Sequence, residues 1–304
     1  MNNQINFGAQ KIRSANFHKD NELSRQFAPK KSRVNIPKVI AVDLGGTNLR
    51  VALVEGNKII KYIKNITPKT KEELLALLDN TIDSLIDKDV KAIGMGSPGP
   101  LENGIIKNPP NIPLKNFNLK KHLETKFKRK VAIENDVHCI TLAEKTLGVK
   151  KKNFIVIAFG TGIGGGIVIE KNIYTGRKFA GELGHIILQD GKFFETLWQD
   201  TKKKIKETFK KDLLISELIK MDDKKAKEIL EETYDYIGQG LGSLINVFDP
   251  EVIVINGGFT EAGAPLLNKI KQSAKKYSIL PHATPIEFSR LRHPGTIGAS
   301  LLVK

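Results

Sequence analysis

A glycine turn between two apolar, β-branched runs occurs twice in this chain of 304 residues. The first copy is VIAVDLGGTNLRVALV, residues 39–54, and the second is FIVIAFGTGIGGGIVI, residues 154–169. Apolar runs of this kind, bounded by glycine, predict buried strands joined by a tight turn. Glycine lets backbone N–H groups approach a phosphate closely, so each turn is either an anion site or an ordinary hairpin. Because the pattern is repeated, we favour the anion site.

The second copy also satisfies G-x-G-x-x-G, the pattern of a dinucleotide-binding loop. Such a loop must lead from a strand into a helix, whose N-terminus receives the pyrophosphate. Here Gly166 is followed by IVIEKNIY, a β-branched run that is typical of a strand. The sequence also lacks G-x-x-x-x-G-K-[ST]. Neither a Rossmann loop nor a P-loop is therefore predicted.

The rest of the chain alternates between helix and strand patterns, which predicts an α/β fold of two units. Each unit opens with one of the glycine hairpins. Further strands are predicted at KAIGMGSPGP, KVAIEND, EVIVINGG and TPIEFS. Helices are predicted over residues 71–86, 118–127, 139–148, 265–276 and 296–303, and within the region 192–246.

Composition narrows the class of protein. The formal net charge is +16, but only eight of the 49 basic residues are arginine, and the lysines are scattered. Readers of nucleic acid favour arginine, so no nucleic-acid partner is expected, although a polyanionic ligand stays open. Residues 1–37 are basic and unpatterned, which predicts a mobile tail too short for a winged-helix domain. A single cysteine, Cys139, and the lack of a membrane span or signal-peptide pattern favour a cytoplasmic protein.

One carboxylate has a conspicuous position. Asp136 directly follows the predicted strand KVAIEN, at the sheet edge where α/β proteins bind ligands. A carboxylate there can act as a general base, and it can equally cap the helix that follows. The residues alone leave both roles open.

Several motifs together resemble the ROK family of bacterial glucokinase-type sugar kinases, within the sugar-kinase/actin/heat-shock-70 ATPase superfamily. They are DLGGTNLR (43–50), GSPGPL (96–101), NPPNIP (108–113), IENDVH (133–138), FGTGIGGG (159–166), GELGH (181–185) and VINGG (254–258). The resemblance runs from about Lys38 to the C-terminus. It implies two ribonuclease-H-like domains with a cleft between them, residues 38–136 and 137–295, with a C-terminal helix 296–304 packing back on the first. It also implies a homodimer.

The resemblance implies roles for individual residues. Asp136 matches the catalytic base, and Asp43 matches the residue that organises Mg²⁺, usually through water. The sugar ligands implied are Asn135, Asp136, Glu182, His185 and Glu195, with Asn111 as a ligand or a framing residue. The phosphate and nucleotide contacts implied are Asp43, Gly45, Gly46, Thr47, Asn48, Gly160, Thr161, Gly162, Gly257 and Gly258.

The sequence departs from the family pattern after His185. Most members continue with a cysteine-rich zinc loop, whereas this chain reads GHIILQDGKFFETLWQD. A structural zinc site needs about four nitrogen or sulfur ligands, so none is predicted here. Glu195 is aligned with the glutamate that ends the zinc loop, and a charge at a helix N-terminus is its alternative explanation. Cys139 is predicted to be buried and unreactive.

The resemblance implies an ATP-dependent, Mg²⁺-requiring kinase of carbohydrate metabolism and glycolysis. It would phosphorylate the 6-hydroxyl of a hexose, with glucose as the first expectation. A polyphosphate-dependent gluco(manno)kinase is the first alternative, because such enzymes also lack the zinc loop and the +16 charge suits a polyanion. A non-catalytic, sugar-responsive regulator is the second. The sequence does not distinguish among hexoses.

Overall fold

The structure, a computed structural model, describes residues 37–109 and 111–303. The predicted basic tail, residues 1–37, lies outside the described residues except for Pro37. None of the helices that the structure describes is long and apolar enough to cross a membrane.

Two five-stranded sheets have the same topology. In the first, the strand order is β3-β2-β1-β4-β8, with the β1–β2–β3 meander antiparallel and β4 and β8 parallel to β1. In the second, the order is β11-β10-β9-β12-β13, again a meander followed by two parallel strands. The strands of the first sheet are β1 (Lys38–Leu44), β2 (Asn48–Glu55), β3 (Lys58–Ile66), β4 (Val90–Ser97) and β8 (Lys130–Asn135). Those of the second are β9 (Phe154–Phe159), β10 (Ile163–Ile169), β11 (Asn172–Tyr174), β12 (Val252–Asn256) and β13 (Ile286–Phe288).

Helices cover both sheets. In chain order they are α1 (Lys71–Asp83), α2 (Leu119–Phe127), α3 (Asp136–Ala143), α4 (Phe194–Phe209), α5 (Ile215–Leu218), α6 (Lys224–Phe248), α7 (Gly263–Tyr277) and α8 (Pro294–Leu301). Side chains of α1 and α2 form one core with the first sheet, and side chains of α4 to α7 form another with the second. A small third sheet contains β5 (Leu101–Glu102), β6 (Ile105–Ile106) and β7 (Phe117–Asn118).

Helices α3 and α8 pack closely on the back of the first sheet. A Cβ atom on Gly298 would overlap the carbonyl oxygen of Cys139, and one on Gly94 of β4 would overlap that of Ala299. The two backbones can approach this closely because both positions are glycine. Cys139 is fully buried there, and burial raises the pKa of its thiol well above the usual value. The neighbouring Ile140 packs against the second sheet, so α3 connects the two halves of the molecule.

Apart from shifts of a few residues at other helix ends, the structure differs from the predicted elements in three places. Helix α3 begins at Asp136, three residues before the predicted start, because the Asn135 side chain caps it by accepting from the amides of Val137 and His138. The run after Gly166 forms two strands, since Glu170 and Lys171 adopt positive φ and turn the chain. The third sheet was not predicted, because two-residue strands carry no periodic signal.

Candidate active site

One large cavity contains the predicted sugar ligands. Its volume is about 1130 Å³. The predicted residues that line it are Asn111, Asn135, Asp136, Glu182, His185 and Glu195, together with Gly160 and Gly162 of the second glycine turn. Residues from five segments that are far apart in sequence therefore meet near the carboxyl ends of the strands, where open α/β sheets bind ligands.

Asp136 lies at the first position of α3 and faces this cavity. Its Oδ1 accepts a hydrogen bond of 2.9 Å from the amide of Val137. Burial raises the pKa of the Asp136 carboxyl to about 7, and the negative charges of Asp43 and Glu182 act in the same direction. A carboxylate with a pKa near neutrality is matched to proton abstraction at physiological pH. The helix cap itself is Asn135, so capping does not account for Asp136.

Asp43 is the second carboxylate at this edge of the sheet. It is the penultimate residue of β1, opposite Arg50 of β2, and Arg50 Nη1 donates to Asp43 Oδ2 at 3.1 Å. Burial raises the pKa of Asp43, while the Arg50 guanidinium opposes that rise. On β4 the residue in register with Asp43 is Gly96, where a Cβ atom would come within 3.3 Å of Asp136 Cα. No side chain of β4 therefore stands between the two carboxylates.

The carbonyl oxygens of the first glycine turn are held by side chains. Thr67 Oγ1 donates to the carbonyl of Gly45 at 2.7 Å, and Lys69 Nζ donates to that of Gly46 at 3.3 Å. Gly46 approaches Asn111 so closely that a Cβ atom on it would lie 2.5 Å from Asn111 Cβ. Carbonyls with protein donors repel an approaching phosphate less than free ones, so this turn suits an anion.

The second glycine turn is arranged in the same way, by side chains of α4. Trp198 Nε1 donates to the carbonyl of Gly160 at 3.0 Å, and Gln199 Nε2 donates to that of Thr161 at 2.6 Å. Lys202 Nζ also donates to the Thr161 carbonyl. The hydroxyls of Thr161 and Thr47 are 2.9 Å apart. The two glycine turns, 114 positions apart in sequence, therefore meet at a hydrogen bond.

The later glycines of the second run allow close packing and do not form the turn. Gly164, Gly165 and Gly166 belong to strand β10. A Cβ atom on Gly166 would overlap Thr141 of α3, and Cβ atoms on the two others would overlap Val137 and Leu183. This part of the run therefore allows close packing, whereas Gly160 has open space around its Cα.

Asn48, Gly257 and Gly258 complete the predicted phosphate and nucleotide set. Asn48 starts β2, and its carbonyl accepts from the amide of Gly45 at 2.9 Å. Gly257 has φ 97° and packs against the carbonyl of Phe159, next to the second turn. Asn256, just before it, donates to the buried carboxylate of Glu144 at 3.2 Å, which fixes the end of β12.

A hairpin follows His185, where the resemblance to the ROK family implies a cysteine-rich loop in most members. Ile187 bridges to Phe193 in antiparallel fashion, and the amide of Lys192 donates to the carbonyl of Gln189 at 2.8 Å. Asp190 and Gly191 both have positive φ, 51° and 72°, as a type I′ turn requires. Asp-Gly between apolar residues is a strong hairpin signal that the sequence reasoning missed.

The hairpin separates the predicted ligands on either side of it. Before it, His185 Nδ1 lies 3.7 Å from Glu182 Oε2, and both side chains are more than half exposed. After it, Glu195 lies in the first turn of α4, and its Oε2 accepts from the amide of Ile163 at 2.7 Å. Glu195 thus touches the second glycine turn as well as the cavity, a link that the sequence did not indicate.

His138 connects the two sides of the cavity. Its Nε2 lies 3.1 Å from the carbonyl oxygen of Ala180, and its Nδ1 lies 3.4 Å from Glu134 Oε1. Two acceptors favour the doubly protonated ring, and burial opposes it. The Glu134 carboxylate and the Ala180 carbonyl prevail, so the pKa of His138 is raised. This histidine therefore anchors the segment that carries Glu182.

The whole described fold and both glycine turns match one group of known proteins. The model of the ROK family matches residues 39–199 and 190–304. The chain belongs to the ROK family. The two actin-like ATPase-type domains of ROK structures and the α/β class predicted above are thereby confirmed.

Individual ROK proteins are similar over most of the chain. A glucokinase of Thermotoga maritima is 29% identical, covering 88% of this chain and 97% of its own length. A β-glucoside kinase of Listeria innocua is 33% identical over 73% of this chain and 83% of its own. The crystal structure of a Streptomyces griseus ROK glucokinase in complex with glucose and AMPPNP superposes with a TM-score of 0.77 at 27% identity, covering 87% and 98% of the two chains. These three similar proteins are all sugar kinases by name.

The hairpin at Asp190–Gly191 leads to a prediction about zinc. Backbone hydrogen bonds close this hairpin, so its fold does not depend on a metal. We expect the purified protein to contain much less than one zinc per chain by elemental analysis. A zinc chelator should leave its thermal unfolding midpoint unchanged. Stoichiometric zinc, or a midpoint lowered by the chelator, would contradict this expectation.

Proposed function

We propose that this protein is a hexose kinase that transfers the γ-phosphoryl group of ATP to the 6-hydroxyl of its sugar, with glucose as the first substrate to test. The observation that carries the proposal is the position of Asp136: a carboxylate with a pKa of about 7 in a cavity bordered by a glycine turn. Membership of a family in which similar proteins are glucokinases supports it.

In this proposal Asp136 is the general base. The sugar lies in the cavity with its hydroxyls against Asn135, Glu182, His185 and Glu195. Asp136 accepts the proton of the attacking hydroxyl, and the oxygen of that hydroxyl forms the new bond to the γ-phosphorus as the bond to the leaving diphosphate breaks. Because the carboxylate is desolvated, its charge is not already satisfied by water.

The glycine turns hold the phosphate chain of the donor. Backbone N–H groups of the first turn face the transferred group, and those of the second face the remainder. Among the described residues no cluster of three or more His, Cys, Asp and Glu could hold a metal ion alone. Magnesium commonly binds one or two carboxylates and the phosphates of its nucleotide, and Asp43 fits that pattern. When bound, Mg²⁺ neutralises charge on the phosphates.

The proposal is tested by an activity matrix. Purified protein is assayed with glucose, mannose, fructose, N-acetylated hexosamines and a β-glucoside, each with ATP or polyphosphate as donor. We expect turnover of a hexose with ATP and Mg²⁺. Turnover with polyphosphate and not with ATP would identify polyphosphate as the phosphoryl donor, a polyanion that the chain's net charge of +16 would suit. Sugar binding without turnover under every condition would favour the regulator.

The pH dependence of the reaction follows from Asp136. The base must be ionised, and its pKa in the free enzyme is about 7. Because kcat/KM for the sugar reports the free enzyme, we expect it to be flat above about pH 8 and to fall roughly tenfold per pH unit well below 7. Initial rates between pH 5 and pH 9 measure this. A profile that stays flat down to about pH 5 would show that the base has an ordinary carboxyl pKa.

A further inference from the structure

A lysine ammonium, that of Lys202, contacts the second glycine turn although other side chains already hold the carbonyl oxygens of the turn. Lys202 extends from α4 and donates to the carbonyl of Thr161, which already accepts from Gln199. The neighbouring carbonyl, that of Gly160, is held by Trp198. Two neutral donors therefore suffice to fix both oxygens, and a charged third donor adds little to the position of the turn.

The ammonium of Lys202 has no carboxylate within ion-pair distance among the described residues, and partial burial lowers its pKa. An ammonium group has three donors, of which the Thr161 carbonyl takes one. The Glu195 carboxylate attracts this ammonium from beyond ion-pair distance and offsets only part of the cost of burial. An anion that completed the environment of the partly desolvated cation would therefore still be stabilised there.

The surroundings indicate which anion this is. The hydroxyl of Thr161 meets that of Thr47, so Lys202 stands where the two glycine turns join. Thr161 and Gly160 are exposed, and the Lys202 ammonium lies 5.5 Å from the centre of the Trp198 ring. The first turn has a similar lysine, because Lys69 donates to the carbonyl of Gly46. Each turn thus has one ammonium at its carbonyl oxygens, and a lysine ammonium is a common binder of phosphate.

We propose that Lys202 binds the phosphate chain of the phosphoryl donor directly and is the charged donor-binding residue of the second glycine turn. This rests on the proposed kinase function, because it assigns the ligand of the turn. The ammonium donates to phosphate oxygens with its two remaining protons while it stays bonded to Thr161. The adenosine is not involved, so the contact is shared by ATP, ADP and inorganic tripolyphosphate.

The chain contains a natural reporter for this contact. Trp198 is the single tryptophan of the sequence, and it touches both the Gly160 carbonyl and Lys202. Its fluorescence can follow titrations with ATP, tripolyphosphate and adenosine without any turnover. Lys202→Gln keeps a donor for Thr161 but removes the charge. We expect it to weaken ATP and tripolyphosphate about tenfold or more, as the loss of a charge-assisted hydrogen bond does, and to leave adenosine and glucose unchanged.

Three control variants separate charge from position. Lys203→Gln removes the same charge from an exposed neighbour on α4, and it should bind ATP as the unaltered protein does. Gln199→Ala removes the neutral donor to the same carbonyl, and it should weaken ATP less than about threefold. Lys202→Arg keeps the charge, and it should retain most of the affinity. The affinity of the unaltered protein should also fall more steeply with salt than that of Lys202→Gln.

The outcomes distinguish this proposal from the kinase proposal. If Lys202→Gln binds ATP within twofold of the unaltered protein, or loses no more affinity than Gln199→Ala, Lys202 does not bind the donor, even if the protein phosphorylates glucose. If tripolyphosphate binds through Lys202 but no sugar is phosphorylated, the assignment of Lys202 stands and the kinase function fails.

Discussion

The Asp136→Asn variant is expected to lose about 10²–10⁴-fold in kcat for sugar phosphorylation, the usual contribution of a general base. Asparagine has nearly the same shape and can still accept from the amide of Val137, but it cannot take a proton. The KM for the sugar should change far less than kcat, because in the proposed complex an amide can contact the hydroxyl as the carboxylate would. A coupled assay with saturating ATP and Mg²⁺ measures both.

The thermal stability of the Asp136→Asn variant shows whether a loss of activity is due to misfolding. The pKa of Asp136 is raised from 3.8 to about 7, so the folded protein holds a proton between these values that the unfolded chain releases. Its contribution to stability is therefore complete below about pH 4 and is lost as pH rises towards 7. Asparagine does not ionise, so the variant should melt at or above the temperature of the unaltered protein at pH 8.

Glu134→Gln is the matched control. Glu134 lines the same cavity two residues earlier, and it accepts from the amide of Asn135 at 2.8 Å. Its loss removes one carboxylate from the cavity without removing the proposed base, so kcat should change less than tenfold. A wild-type kcat in Asp136→Asn, or equal losses in both variants, would mean that Asp136 is not the base.

Local patterns in the sequence were sufficient to predict much of the fold, whereas the roles of the candidate-site residues were implied by the resemblance to the ROK family. The β-branched runs around Gly45 and around Gly160 gave both hairpins, because a strand that is buried on both faces is apolar throughout. The position of Asp136 directly after the strand KVAIEN placed it at the ligand-binding edge, although β8 is a half-buried edge strand. Helices such as α1 and α7 were found because their apolar residues follow one face.

The remainder depends on tertiary contacts that no local pattern encodes. Trp198, Gln199 and Lys202 reach the second turn only because α4 crosses beside it. His138 contacts Ala180, which is 42 positions away in sequence, and the motif IENDVH gives no indication of this contact. The Asp190–Gly191 turn is different, because its Asp-Gly dipeptide is a local signal that could have predicted the hairpin from the sequence.

The second glycine run also shows that a local pattern does not reveal tertiary contacts. One of its glycines gives the largest expected effect on stability. Its sequence presents one uniform string, yet Gly160 lies in the exposed turn and Gly166 lies against Thr141 of α3. Gly166→Ala should lower the free energy of unfolding by about 3 kcal/mol or more, at the upper end of what overpacking costs, because its Cβ atom would overlap the Thr141 hydroxyl. Thermal or denaturant unfolding measures this loss.

Gly160→Ala is the control from the same run. Nothing lies within 4 Å of a Cβ atom at Gly160, and its φ is not in the left-handed region, so unfolding should stay within about 0.5 kcal/mol of the unaltered protein. Any loss should appear in ATP affinity instead. The double variant Gly166→Ala, Thr141→Ala should recover part of the stability, since it removes the atoms nearest to the new methyl group. Equal destabilisation by the two single variants would contradict this division of the run into an exposed turn and a packed strand. The division requires a large loss of stability at Gly166 and almost none at Gly160.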